Sequence, residues 1–250
     1  MSVDGCVRNY NFAGRRNAVA AGHTGRVSAG EPLFAFEAVS VGPPEARRLD
    51  GLDAQLPGGG LTVVAGPSGS GKSTLLRLCN RLDVPSEGRV RHRGEDIAQR
   101  DPLRLRREVA MVFQRPVTFA GTVLDNLREA DPGCDAARGA ELLERAGLAA
   151  TFLARDAGEL SGGEAQRACL ARALATDPHV MLMDEPTSAL DAKATAVLER
   201  LATQLVQDGT PVVWVSHSEA QMRRLGDFVL LLDGGRVDRE GSAQEVLGGG

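Results

Sequence analysis

The sequence predicts an α/β fold in which a largely parallel sheet is flanked by helices, and three observations carry that prediction. From Leu33 onward, short apolar runs alternate with helical patterns, the order expected of strand–helix–strand units. Several runs are apolar almost throughout, as buried strands are. One of them leads into a glycine-rich loop and then a helix.

In order, Leu33–Val41 reads as a strand that Gly42-Pro43-Pro44 ends, because proline cannot donate to a ladder. Leu61–Ala65 is an apolar strand running into the glycine-rich loop, with a helix from about Lys72 to Arg81 after it. Val90 and Ile97 flank a hairpin centred on Arg93-Gly94. Val109–Phe113 is the next strand, after which the pattern turns helical and Ala-rich, most clearly over Ala136–Ala146. A helix over about Glu164–Thr176 stops at Asp177-Pro178, since the residue before proline is disfavoured in helix. Val180–Met183, Pro211–Ser216 and Phe228–Leu232 are buried strands. A long helix carries Val197, Leu198, Leu201 and Leu205 at helical spacing and closes at Asp208-Gly209. No internal repeat is visible.

Residues 1–30 are rich in Gly, Ala, Asn and Ser, lack a hydrophobic pattern, and read as a mobile tail. Arg15-Arg16 raises a twin-arginine export signal, but Asn17–Gly25 holds only a few small apolar residues and no h-region. No run approaches the roughly eighteen apolar residues that span a bilayer, so membrane work would need another chain. A formal net charge of −4 gives no global reason to expect nucleic acid. Cys6, Cys79, Cys134 and Cys169 are scattered without metal or redox spacing and read as reduced thiols.

The chemistry begins at Gly66-Pro67-Ser68-Gly69-Ser70-Gly71-Lys72-Ser73, which fits the phosphate-binding P-loop G-x-x-x-x-G-K-[ST] between strand and helix. The bland alternative is a flexible Gly/Ser turn. Lys72 and Lys193 are the only lysines, which makes a chance match rare. Glycines let backbone N–H groups converge on phosphate oxygens, and the helix N-terminus adds positive partial charge. Lys72 suits the β- and γ-phosphates and the Ser73 hydroxyl a magnesium ion; Thr74 completes the ATP-binding stretch. Asp184, ending Val180–Met183, fits a magnesium-organising carboxylate, and Glu185 beside it fits the group that orients or deprotonates the attacking water. Alone, the pair would read as an acidic strand end.

Leu160-Ser161-Gly162-Gly163-Glu164-Ala165-Gln166-Arg167 resembles the signature LSGG-[QE]-x-QR of ABC (ATP-binding cassette) transporter ATPases. The motif order resembles that family from about Leu33 to Leu247. Ser161 and Glu164 also stand at capping-box spacing, and both readings hold together. The resemblance implies a P-loop NTPase core of mostly parallel sheet, with an N-terminal antiparallel β portion and an inserted helical subdomain at about 115–163, all within residues 31–250. It implies that Ser161, Gly162 and Gly163 contact the γ-phosphate held by a second ATPase subunit. It makes Gln114 the Q-loop residue linking magnesium and water to the helical lobe, Ser188-Ala189-Leu190-Asp191 the D-loop, and His217 the γ-phosphate-bonding histidine. Catalysis would then rest on Glu185, His217, Gln114 and Lys72, with ATP and Mg²⁺ as cofactors.

It further implies a transmembrane permease on another chain, a dimer of ATPase subunits, and a cytoplasmic location at the inner face of the cell membrane. The helical lobe from about Arg115 to Glu159 would face the permease. Arg104, Arg106 and Arg107 read as a solvated face, with a permease contact as the alternative. The stretch Phe113–Val123, with Asp125-Asn126-Leu127, resembles phosphate-import ATPases and small cassettes assigned to metal or sugar-nucleotide export. The alternative class, a soluble ABC ATPase acting on DNA or ribosomes, usually carries coiled-coil or zinc insertions or a second cassette, and none is present in this sequence. One departure is plain. The family places an aromatic on the adenine soon after the first strand, whereas this chain reads Val41-Gly-Pro-Pro-Glu-Ala-Arg-Arg48. Arg47 or Arg48 is the substitute the sequence offers.

Overall fold

In chain order the strands are β1 (Phe34–Val41), β2 (Leu49–Leu56), β3 (Leu61–Ala65), β4 (Glu87–His92), β5 (Glu95–Asp96), β6 (Val109–Val112), β7 (Val180–Met183), β8 (Val212–Val215), β9 (Phe228–Asp233) and β10 (Arg236–Gly241). The helices are α1 (Lys72–Cys79), α2 (Pro102–Glu108), α3 (Val123–Ala130), α4 (Ala136–Arg145), α5 (Gly162–Leu174), α6 (Ala192–Gln207), α7 (Glu219–Leu225) and α8 (Ala243–Leu247). They come from a computed structural model that describes residues 30–188 and 190–248. The tail expected over 1–30 therefore lies, but for residue 30, outside the described residues, as does Ala189 of the D-loop stretch.

One sheet is antiparallel, with strand order β2-β1-β4-β5. Its β4–β5 connection is the hairpin expected at Arg93-Gly94, where both residues have positive φ, 50° and 77°, the requirement of a tight primed turn. Ile97 lies just past the hairpin, at the start of a short 3₁₀ turn. The other sheet has the order β10-β9-β3-β8-β7-β6. Its neighbours from β9 to β6 pair in parallel, and β10 adds an antiparallel edge.

Covered on both faces, the parallel strands divide their side chains between two cores. Val63, Ala65, Met181, Met183, Val212 and Trp214 join the core under α3–α6. Val64, Val180, Leu182, Val213 and Val215 join the other, with Leu75, Leu76 and Leu78 of α1 and Phe34, Leu49 and Leu52 of the antiparallel sheet. That two-sided burial explains runs with no polar alternation. Between β6 and β7 the chain is mainly helical, with α3, α4, two 3₁₀ turns and α5. At about 25 cal/mol per Å² of apolar area, these side chains supply the main drive for closing the layers.

Candidate functional site

The loops that follow β3, β6, β7 and β8 leave the sheet at the carboxyl ends of its parallel strands, the edge at which open α/β sheets bind ligands. Gly66–Gly71 follows β3, Gln114 follows β6, Asp184 and Glu185 follow β7, and His217 follows β8. One open cavity of about 350 Å³ is lined by Ser68, Gly69, Gly71, Lys72, Ser73, Thr74, Gln114, Glu185 and His217, together with Arg48. Residues more than 140 positions apart in sequence thus meet at one site, as Lys72 and His217 show.

The loop's shape explains its glycines. Gly66 has φ +138°, and a Cβ there would drive into the Leu232 carbonyl. Gly71 has φ +100°, and a Cβ would lie 2.7 Å from the Arg48 carbonyl oxygen; neither place accepts a side chain. Among the described residues, α2 to α8 each begin with a side chain accepting from a backbone N–H: Asp101, Thr122, Asp135, Ser161, Asp191, Ser218 and Ser242. Helix α1, capped by Gly71, has no such cap. Its first N–H groups and its dipole could therefore receive an anion at the cavity. The Ser70 hydroxyl, buried at 2% exposure, also has no partner among the described residues.

Lys72 is 5% exposed, and its Nζ donates to the carbonyls of Gly66 at 2.9 Å and Pro67 at 2.7 Å. Burial pulls its pKa below the usual lysine value, while Glu185 and Asp184 oppose that shift. Asp184, also 5% exposed, is moved the other way: burial raises its pKa, the bond from Ser73 lowers it, and Glu185 raises it again. Ser73 Oγ donates to Asp184 Oδ1 at 2.9 Å. A hydroxyl and a buried carboxylate side by side are a hard oxygen pair of the kind that suits magnesium.

Glu185 has φ +44°, a left-handed backbone uncommon for a residue with a Cβ and frequent at functional positions. Its carboxylate accepts from Gln114 Nε2 at 2.8 Å and is hydrogen-bonded to His217 Nε2. Gln166, 4% exposed within the signature stretch, donates to the Phe113 carbonyl at 3.0 Å. That bond ties α5 to the residue before Gln114.

Ser161, Gly162 and Gly163 are not in this cavity. Ser161 and Gly163 line a separate pocket with Arg167, Leu190, Asp191 and Lys193. Ser161 caps α5 in a full capping box: its N–H and hydroxyl donate to Glu164 at 2.8 and 2.7 Å, and it accepts from the Glu164 N–H. Those bonds hold the Glu164 pKa below the usual carboxylate range. Of the two arginines offered for the adenine, Arg47 is committed to Asp50 and Glu87, and Arg48, which donates to Asp83 at 3.3 Å, lines the cavity. Among the described residues no Phe, Tyr or Trp side chain does. Arg106 is occupied too, donating to the Arg81 carbonyl at 2.7 Å.

A strand–glycine loop–helix with a buried strand-end carboxylate on its helix's first serine defines a P-loop nucleotide hydrolase. Residues 49–188 match the ABC transporter family. The chain is 43% identical over 218 residues to ABC transporter I family member 17 of Arabidopsis thaliana, covering 84% of this chain and 82% of that one. It is 47% identical over 194 residues to Protein STAR1 of Oryza sativa subsp. japonica, covering 76% of this chain but 56% of the rice protein. A dimeric post-hydrolysis state of the ATP-binding cassette MJ0796, bound to ADP and Pi, superposes with TM-score 0.74 at 31% identity, over 84% of this chain and 98% of that one. The chain belongs to the ABC transporter family and is an ATP-binding, ATP-hydrolysing cassette.

Proposed function

We propose that this cassette powers solute transport through a separate membrane permease by closing, with a second cassette, over ATP and reopening after hydrolysis. The observation that carries this reading is the division of the phosphate-binding groups within one chain. Lys72, Ser73 and the uncapped α1 face one cavity, and Ser161 and Gly163 face another. A second subunit would bring its signature serine to this chain's cavity and complete the site from both sides. The MJ0796 cassette, whose structure is dimeric, supports such an arrangement.

Within the site the roles follow from position. The loop amides and Lys72 bind the phosphates. Ser73, Asp184 and Gln114 would hold magnesium, which when bound neutralises charge on the β- and γ-oxygens. Glu185 orients the attacking water and takes its proton, and His217 holds Glu185 on one side while bonding the γ-phosphate on the other. Gln114 links this cluster to the helical segment. Beside it opens a groove lined by Phe113, Val117 and Phe119, which are 37%, 59% and 50% exposed. An exposed apolar groove next to Gln114 suits a permease segment, and that contact would hold the chain at the inner face of the membrane.

Among the described residues no helix is long and apolar enough to cross a membrane, so the pairing itself is the test. The tagged full chain, recovered from its own cells in mild detergent, should copurify with a polytopic membrane protein. Recovery only with ribosomes or nucleic acid would overturn the transport reading.

A further inference from the structure

Helix α6 turns an apolar stripe of Leu198, Leu201, Ala202 and Leu205 to the core, yet Glu199 beside them is also buried, at 8% exposure. A carboxylate there is tolerated only with full pairing, and α7 supplies it. Gln221 Nε2 donates to Glu199 Oε1 at 2.9 Å, and Arg224 donates through Nε at 3.0 Å and through a terminal nitrogen at 2.6 Å. Gln221, 7% exposed, then reaches two loops. Its Oε1 accepts from Ser216 Oγ at 2.6 Å, and its Nε2 also donates to Thr187 Oγ1 at 3.2 Å. Ser216 immediately precedes His217, and Thr187 lies two residues after Glu185. Ser216 Oγ further accepts the N–H of Ser218, on the far side of His217, at 3.0 Å.

We propose that Glu199, Gln221 and Arg224 form a positioning unit that fixes the backbone beside His217 and beside Glu185 at once, and so sets the geometry of the pair that closes on the γ-phosphate. The proposal rests on the roles given above to Glu185 and His217. Without a partner, an amide such as Gln221 rotates freely about its last torsion. Three hydrogen bonds, two donated to Glu199 and Thr187 and one accepted from Ser216, select one orientation, with the carbonyl oxygen toward Ser216 and the nitrogen toward Glu199 and Thr187. Buried networks of this kind hold a single arrangement because every member is satisfied and any rearrangement strands a polar group. The unit also joins the loop after β7 to the loop after β8, so displacement of one is transmitted to the other through one side chain.

Ser216→Ala and Thr187→Val each remove one branch and leave the Glu199–Arg224 pair intact. Each should lower kcat about tenfold, since small misplacements of catalytic groups have effects of this order. KM for ATP should stay within about twofold of the unmodified chain, because the phosphate loop is untouched. Glu199→Gln, which keeps the side chain's shape while removing its charge, should lower kcat in the same way. The decisive readout is a double-mutant cycle. In a His217→Ala background, Ser216→Ala should reduce the remaining turnover by less than about twofold, because its effect passes through His217. A second tenfold loss in that background, or a loss expressed mainly in KM or unfolding, would make Ser216 merely structural and overturn the proposal. Wild-type turnover in Ser216→Ala, Thr187→Val and Glu199→Gln beside an impaired His217→Ala would overturn the network alone. Unimpaired His217→Ala would overturn the role of His217 and the network's function with it.

Discussion

Replacing Lys72 by Ala removes the one cation that the phosphate loop closes around. Its ammonium makes two bonds, to the carbonyls of Gly66 and Pro67, and each is worth about 1 kcal/mol net. Removal also relieves a desolvated charge, which burial already disfavours. The two effects oppose each other, so folding should change by no more than about 2 kcal/mol. Hydrolysis should change far more, because charge on the γ-phosphate loses its nearest protein cation. Donors aimed at developing charge contribute about 2.7–4 kcal/mol, which is roughly 100- to 1,000-fold in turnover. Phosphate release at saturating ATP, with thermal unfolding of both proteins, separates the two quantities. Turnover within about threefold of the unmodified chain would refute the assignment of this loop to the phosphates, for a loss below about 0.7 kcal/mol is too small for an active-site cation.

Three further outcomes follow, two from the cavity and one from the antiparallel sheet. With no Phe, Tyr or Trp of the described residues in the cavity lining, ATP and GTP should be used with efficiencies within about tenfold, and competition between them measures this; an ATP preference beyond about a hundredfold contradicts it. Arg48→Tyr should tighten both nucleotides by about 0.5–1.5 kcal/mol, whereas Gly42 cannot receive the tyrosine, having φ +103° and a Cβ direction blocked by the Ala46 carbonyl oxygen at 2.7 Å. His92 is 4% exposed and stacked on Phe34, and burial, reinforced by Arg100, lowers its pKa to about 4. A depressed folded value means that the unfolded chain binds the extra proton first, so this stability is complete above about pH 6.5 and is lost as pH falls toward 4. Between pH 7.5 and 5 the loss should be about 2 kcal/mol from this group, and His92→Phe should flatten that part of the unfolding profile. An unchanged slope in the variant would refute the assignment.

What the sequence made legible divides by physics. The buried parallel strands announced themselves because two-sided burial leaves no polar position. The strand Leu33–Val41 is visible for its apolar density and is observed from Phe34. Its partner β2 was not singled out, because Asp50, Gly51 and Asp53 interrupt the alternation and register shifts at Val39 and Val41 displace it. Strand β10 is largely charged, as an edge strand is, and only the Gly234-Gly235 turn signals it. Helix α3 follows a capping box, Thr122 with Asp125, that reads from sequence only as a family-like stretch. Of the candidate site, the phosphate loop, Asp184 and Glu185 read from motif and position, and Gln114 and His217 from the family resemblance; the fold brings the loop, Gln114, Glu185 and His217 to one cavity. Arg48 reads from the sequence only as one of a pair; both arginines are ion-paired in the fold, and Arg48 alone of the two lines the cavity. Glu199, Gln221 and Arg224 were not read, although a Glu inside an apolar helical stripe and a Gln–Arg pair three residues apart just after His217 were signals in the sequence.

If two cassettes close over ATP and Glu185 triggers the reaction that reopens them, Glu185→Gln should separate closure from hydrolysis. The amide keeps the shape that Gln114 and His217 hold but cannot take a proton from water. Light scattering of this variant with ATP and magnesium, and again without nucleotide, reports closure directly. The account expects a nucleotide-dependent dimer with hydrolysis reduced at least about a hundredfold. A variant that stays monomeric in ATP while hydrolysing it at the unmodified rate would contradict it.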